Sequence, residues 1–160
     1  MINNDVLRSI RYALDISEPK TVEIIKLGGQ DIDRPVLALL LKKEDEEGYT
    51  ECSDIIMRAF LNGLITYKRG ESDAKPDQDK KPDAPLHNND ILKKLRIAFE
   101  LKEDDLHAIM ELAEFSISRP EISALFRKEG HKNYRKCGDQ VLRNFLKGLT
   151  IRLRGISSGI

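Results

Sequence analysis

"NNDVLRSIRYALDI" occupies residues 3–16, and "NNDILKKLRIAFEL" occupies residues 88–101. The second stretch nearly repeats the first, 85 residues further on, from Asn3 to Asn88. Carried forward at that offset, residues 3–70 align with 88–155 without a gap, and about 25 of the 68 positions are identical. The identities include Arg34-Pro35 with Arg119-Pro120, Tyr49 with Tyr134, Cys52 with Cys137 and Gly63 with Gly148. A period this long exceeds the usual solenoid repeats and suits a small domain with its own core. The chain is a tandem duplication.

Each copy reads as four helices. Val6, Leu7, Ile10, Ala13 and Leu14 recur at helical spacing, as do Ile91, Leu92, Leu95, Ala98 and Phe99 in the second copy. The Asn-Asn-Asp triplet before each run is read as a helix start, its side-chain oxygens capping the first free amides. A second helix spans about Glu18 to Leu27 and is closed by Gly28-Gly29. The second copy carries Ala113-Glu114 at that point, so we expect the two ends to differ. The third helix opens at Asp33-Arg34-Pro35, or at the capping box Ser118-Arg119-Pro120-Glu121. The fourth covers about Ser53 to Lys68 and Gly138 to Leu153, with Gly63 and Gly148 inside it. An internal glycine costs roughly 1 kcal/mol against alanine, so close helix approach beside Phe60 and Phe145 is its expected use. No alternating segment bounded by turns appears. The fold class is all-α: two homologous four-helix repeats joined by a flexible linker. The expected bounds are 1–70, the linker 71–87, 88–155 and a tail at 156–160. The linker, "ESDAKPDQDKKPDAPLH", is rich in proline and charge and too polar to order itself.

The overall net charge is zero, yet the copies differ. Residues 1–70 hold 10 basic and 12 acidic side chains, and residues 88–160 hold 14 and 10. The contrast concentrates before the fourth helix, where "KKEDEEGYTECSD" in one copy faces "RKEGHKNYRKCGD" in the other. From Arg127 to Arg154 there are nine Lys and Arg against two acids, Glu129 and Asp139.

Chemistry is sparsely signalled. His87, His107 and His131 match no His in the other copy, and no zinc, calcium, phosphate-loop or metalloprotease pattern occurs. We therefore expect no enzyme, no metal, no cofactor and no small-molecule substrate. The sequence shows no signal-peptide pattern, lipidation motif or membrane-length apolar run, and two cysteines suit a reducing cytosol. Cys52 and Cys137 precede the fourth helix, where a thiol is either activated by the helix end or simply packed. Asp54 with Arg58, and Asp139 with Arg143, are spaced as helix-surface ion pairs. Arg34 and Arg119 are retained in both copies, which a structural or a binding role explains equally.

Two surfaces are candidates for binding. The first copy is apolar where the second is polar: Val36 against Glu121, Leu39 against Ala124, Ile55 against Gln140, Ala59 against Asn144 and Ile65 against Thr150. Val36, Leu39, Ile55 and Ala59 form a second apolar stripe, expected to bury against the other repeat, another chain or a protein partner. The alternative is nucleic-acid binding by the second repeat, with Arg127, Lys128, Lys132, Arg135, Lys136, Arg143 and Lys147 on phosphates. A solvated basic face is the ordinary counter-reading. Arginines facing one side would favour nucleic acid; arginines paired with acids would sink it.

The tandem NND[VI]L starts, the DRP and SRP turns and the "R.FL.GL…RG" endings resemble the YehS-like family of bacterial proteins. The resemblance covers Asn3 to Gly155. It implies a small, duplicated, cytoplasmic protein of unassigned function, and it carries no active site with it. The reading is thus a non-enzymatic helical binding module with a protein partner.

Overall fold

A computed structural model describes residues 1–70 and 84–155. The linker reading falls on described residues only at 84–87, and the tail at 156–160 lies outside them. The described residues form α1 (Asn3–Leu14), α2 (Glu18–Leu27), α3 (Arg34–Leu40), α4 (Asp54–Arg69), α5 (Asn88–Ala98), α6 (Glu103–Leu112), α7 (Arg119–Leu125) and α8 (Asp139–Arg154). No strand occurs among them. The chain divides into two compact units, Met1–Leu86 and His87–Ile160. Four helices fall in each, in the same order.

Caps set most of the helix starts. Ser17 accepts from the Lys20 amide at 3.2 Å, Asp33 from Val36 at 3.1 Å and Ser53 from Ile56 at 3.2 Å. Ser118 and Glu121 form the expected reciprocal box at α7, each accepting from the other's amide at 3.2 Å. At α8 the cap position is Gly138, which has no side chain to offer.

The heaviest contact in the first unit is α2 on α4, and in the second α6 on α8. Gly63 makes that crossing possible: a Cβ there would lie 1.7 Å from the Ile24 carbonyl oxygen. A Cβ at Gly148 would lie 2.0 Å from the matching oxygen, that of Ile109. Around the crossings Ile24, Phe60 and Leu64, and Ile109, Phe145 and Leu149, are buried. Each such side chain contributes about 1.5–3 kcal/mol on leaving water.

The second helices end alike, contrary to the expectation from Gly28-Gly29 and Ala113-Glu114. Gly28 and Ala113 both keep right-handed backbone, with φ −84° and −81°. The next residue turns left-handed in each, Gly29 at φ 100° and Glu114 at φ 57°. Glutamate tolerates that narrow region at modest cost, so the turn survives the loss of glycine.

Candidate interaction surfaces

The loop between the third and fourth helices is held by the asparagines that start the repeat. Asn4 is fully buried, and its Nδ2 donates to the carbonyls of Leu40 at 2.9 Å and Thr50 at 2.8 Å. Its Oδ1 accepts from the Cys52 amide at 2.9 Å. Asn89 does the same, donating to Leu125 and Arg135 at 2.9 Å each and accepting from Cys137 at 2.9 Å. Asn3 reaches the Cys52 carbonyl at 3.0 Å and Asp54 at 2.7 Å, and Asn88 reaches Cys137 at 3.1 Å and Asp139 at 2.9 Å. These residues are tertiary clamps, not caps. Both asparagines already lie within α1 and α5, whose preceding residues, Ile2 and His87, cap through no side-chain bond. Of the triplet, Asp90 serves the helix start, accepting from the His87 amide at 2.9 Å.

The clamp presents one residue outward in each unit. Asn4 binds the backbone of Thr50 and Cys52, so Glu51 between them is held at a fixed point and exposed. Asn89 binds Arg135 and Cys137, which fixes Lys136 in the same way. Equivalent, rigidly held positions therefore carry opposite charges. Glu44, Asp45, Glu46 and Glu47 are exposed around the first; Arg127, Lys128 and Lys132 are exposed around the second.

Of the seven cations read as phosphate-binding, all are exposed. Arg135 is committed elsewhere, paired with Glu121 across the loop. That guanidinium, followed by Ser118, holds the Glu121 carboxyl below its usual range. The other six, Arg127, Lys128, Lys132, Lys136, Arg143 and Lys147, carry no ion pair among the described residues.

The apolar stripe of the first unit does not hold together. Val36 and Ile55 are 40% and 41% exposed. Ala59, however, is buried in the α2–α4 crossing, where a Cβ on Gly28 would lie 1.7 Å from its carbonyl oxygen. Leu39 is half-covered by the loop: a Cβ on Gly48 would lie 3.3 Å from Leu39 Cδ2. Ile65 is fully buried. What reads as a second stripe is partly core, because α4 packs over a wider arc than one stripe.

Other candidates resolve structurally. Cys52 and Cys137 are buried, and burial pushes their thiols up to about 12 and about 11. Helix-end activation therefore loses to desolvation. Asp54 is engaged by Asn3 and by the Leu86 amide at 3.0 Å, while Arg58 is buried and donates to the Ala84 carbonyl at 2.6 Å. The simple surface pairing read for them does not describe this arrangement. Arg34 and Arg119 are exposed and reach the start of the preceding helix, at Glu18 (3.8 Å) and Asp104 (2.5 Å). Arg96 donates from Nε to the Leu101 carbonyl at 3.0 Å and lies 4.8 Å from the Phe126 ring centre, tying off α5. The repeat-start clamp was missed; its signal was the joint retention of Asn4, Leu40 and Cys52 as Asn89, Leu125 and Cys137.

The second core holds an apolar void of about 10 Å³ lined by Leu92, Leu106, Ile122 and Phe145 among others. With no polar lining it is room for little and stays dry. An open groove lined by His107, Met110, Glu111, Glu114 and Phe115 carries one His107–Glu111 contact of 2.7 Å. Among the described residues no three His, Cys, Asp or Glu converge as a metal site, and no helix is long and apolar enough to cross a membrane.

Comparison with known proteins agrees with the duplication. The family described as "Protein of unknown function (DUF1456)" matches twice, at residues 3–70 and 88–155. Over 152 residues the sequence is 48% identical to "Uncharacterized protein YehS" of Escherichia coli (strain K12), covering 95% of this chain and 96% of that protein. No solved structure matches.

Proposed function

We propose, for a chain that belongs to the DUF1456 family, whose description assigns no activity, that it acts by binding a protein partner in the cytoplasm and not by catalysis. One observation carries the reading: the clamp in the first unit holds an exposed acidic loop at a fixed geometry, Glu51 at its base and Glu44 to Glu47 beyond it. Pre-ordering a loop removes part of the entropy cost that association otherwise meets. Charge on such a rim steers encounter and selects against wrong partners. Val36 and Ile55, exposed in the same unit, add apolar area where the second unit has Glu121 and Gln140. The partner chemistry that fits is a basic protein surface with apolar spots.

The test compares the full chain with a variant carrying Glu44→Lys, Glu47→Lys and Glu51→Lys in affinity capture from nuclease-treated bacterial lysate. A discrete set of basic proteins retained by the parent and lost from the variant supports the reading. Identical retention by both contradicts it.

A further inference from the structure

The basic half of the molecule carries a second surface, independent of the acidic loop. We propose that the second unit binds the phosphate backbone of nucleic acid, through the loop after α7 and the exposed face of α8. Six cations, Arg127, Lys128, Lys132, Lys136, Arg143 and Lys147, are exposed and carry no ion pair among the described residues. A surface built only for solubility intersperses both signs; here the exposed acids are two, Glu129 in the loop and Asp139 one turn before Arg143 on α8.

Geometry organises these cations. Lys136 is fixed by the two bonds that Asn89 makes to its neighbours. Arg143 and Lys147 are spaced i, i+4, so they stand on one face of α8 about 6 Å apart along its axis. Gln140 and Asn144 flank them, adding neutral polar groups to that face; Asn144 already donates to the Gln140 carbonyl at 2.8 Å. The first unit places Glu51, Ala59 and Asn62 at the positions of Lys136, Asn144 and Lys147. Only the second unit therefore presents this face.

The chemistry favours the backbone over the bases. Phosphate contacts position a protein without reading sequence, and base reading needs side chains for base edges or stacking rings. Tyr134 is half-buried, with burial raising its phenol, and so is a poor stacking platform. Binding is thus tolerant of sequence and strongly dependent on salt. Four to six phosphate contacts give a log–log salt slope of about −3 to −5.

The experiment measures binding of the full chain to labelled single- and double-stranded oligonucleotides from about 20 to 300 mM salt. It includes K132E/K136E and R143E/K147E variants and the acidic-loop triple variant. The expected result is binding at low salt with the stated slope. Each basic double variant flattens the slope by about two, alike for unrelated sequences, and the acidic-loop variant leaves the slope unchanged. All substituted residues are exposed, and circular dichroism checks that the fold is retained. Absence of binding near 20 mM salt overturns the proposal. So does binding that both basic variants leave unaltered. Retention on phosphatidylserine vesicles, or capture of a protein by this face in nuclease-treated lysate, without oligonucleotide binding, also overturns it.

Discussion

Asn4 accepts a hydrogen bond from the Cys52 amide at 2.9 Å, and 85 residues on Asn89 accepts one from Cys137 at the same distance. Each bond joins the first turn of a unit to the entry of its last helix. With the two carbonyls that each Nδ2 satisfies, one side chain closes a loop of a dozen residues. The sharpest charge contrast between the units, Glu47 and Glu51 against Lys132 and Lys136, is displayed on that closed loop.

Asn4→Ala removes a buried side chain that pairs three backbone groups. Leaving such groups unpaired costs about 1–3 kcal/mol each, offset where water enters. We expect a loss of about 2–4 kcal/mol in chemical denaturation. Asn89 is less buried, so Asn89→Ala should cost less. Equal, negligible effects would show that the clamps are incidental.

Gly63→Ala and Gly148→Ala raise helix propensity yet drive a methyl into a carbonyl of the packed helix. Overpacking of this kind costs about 1–3 kcal/mol, more than the roughly 1 kcal/mol that propensity returns. Gly138 has nothing within 4 Å of its Cβ position. Gly138→Ser should be neutral or stabilise by a few tenths of a kcal/mol, roughly the cap supplied by Ser53 in the other unit. Thermal melts of the three variants check the contrast in sign.

The thiols should be silent in the native state. Burial raises Cys52 to about 12 and Cys137 to about 11 from an ordinary value of 9.0. Labelling by a thiol reagent at neutral pH should therefore follow unfolding, not surface access. The same shift fixes a pH dependence. The folded state holds these protons more tightly, so the associated stability is full below pH 9.0 and falls as pH rises toward 11–12. Cys52→Ala with Cys137→Ala should flatten that alkaline fall; an unchanged profile would locate its cause elsewhere.

The helices and their faces were legible because apolar spacing at 3.6 residues is a local signal, repeated in two copies that check each other. The clamp was not legible. Asn-Asn-Asp at a helix start has the composition of a cap, and the partners of Asn4 lie 36 to 48 residues away, where local pattern is silent. Ala59 was misread for a related reason. Its small side chain suits a crossing with Gly28, a pairing visible only once α2 lies on α4. The seven basic side chains are exposed, which is the default that sequence composition predicts for Lys and Arg.

One clamped frame, used twice, is proposed to present two different surfaces to two different partners. Affinity capture from bacterial lysate, with and without nuclease, tests it with three proteins: the parent chain, the variant reversed at Glu44, Glu47 and Glu51, and the variant reversed at Lys132 and Lys136. The first reversal is expected to remove nuclease-resistant protein partners and keep nucleic acid, while the second does the opposite. Indistinguishable retention by all three proteins would contradict it.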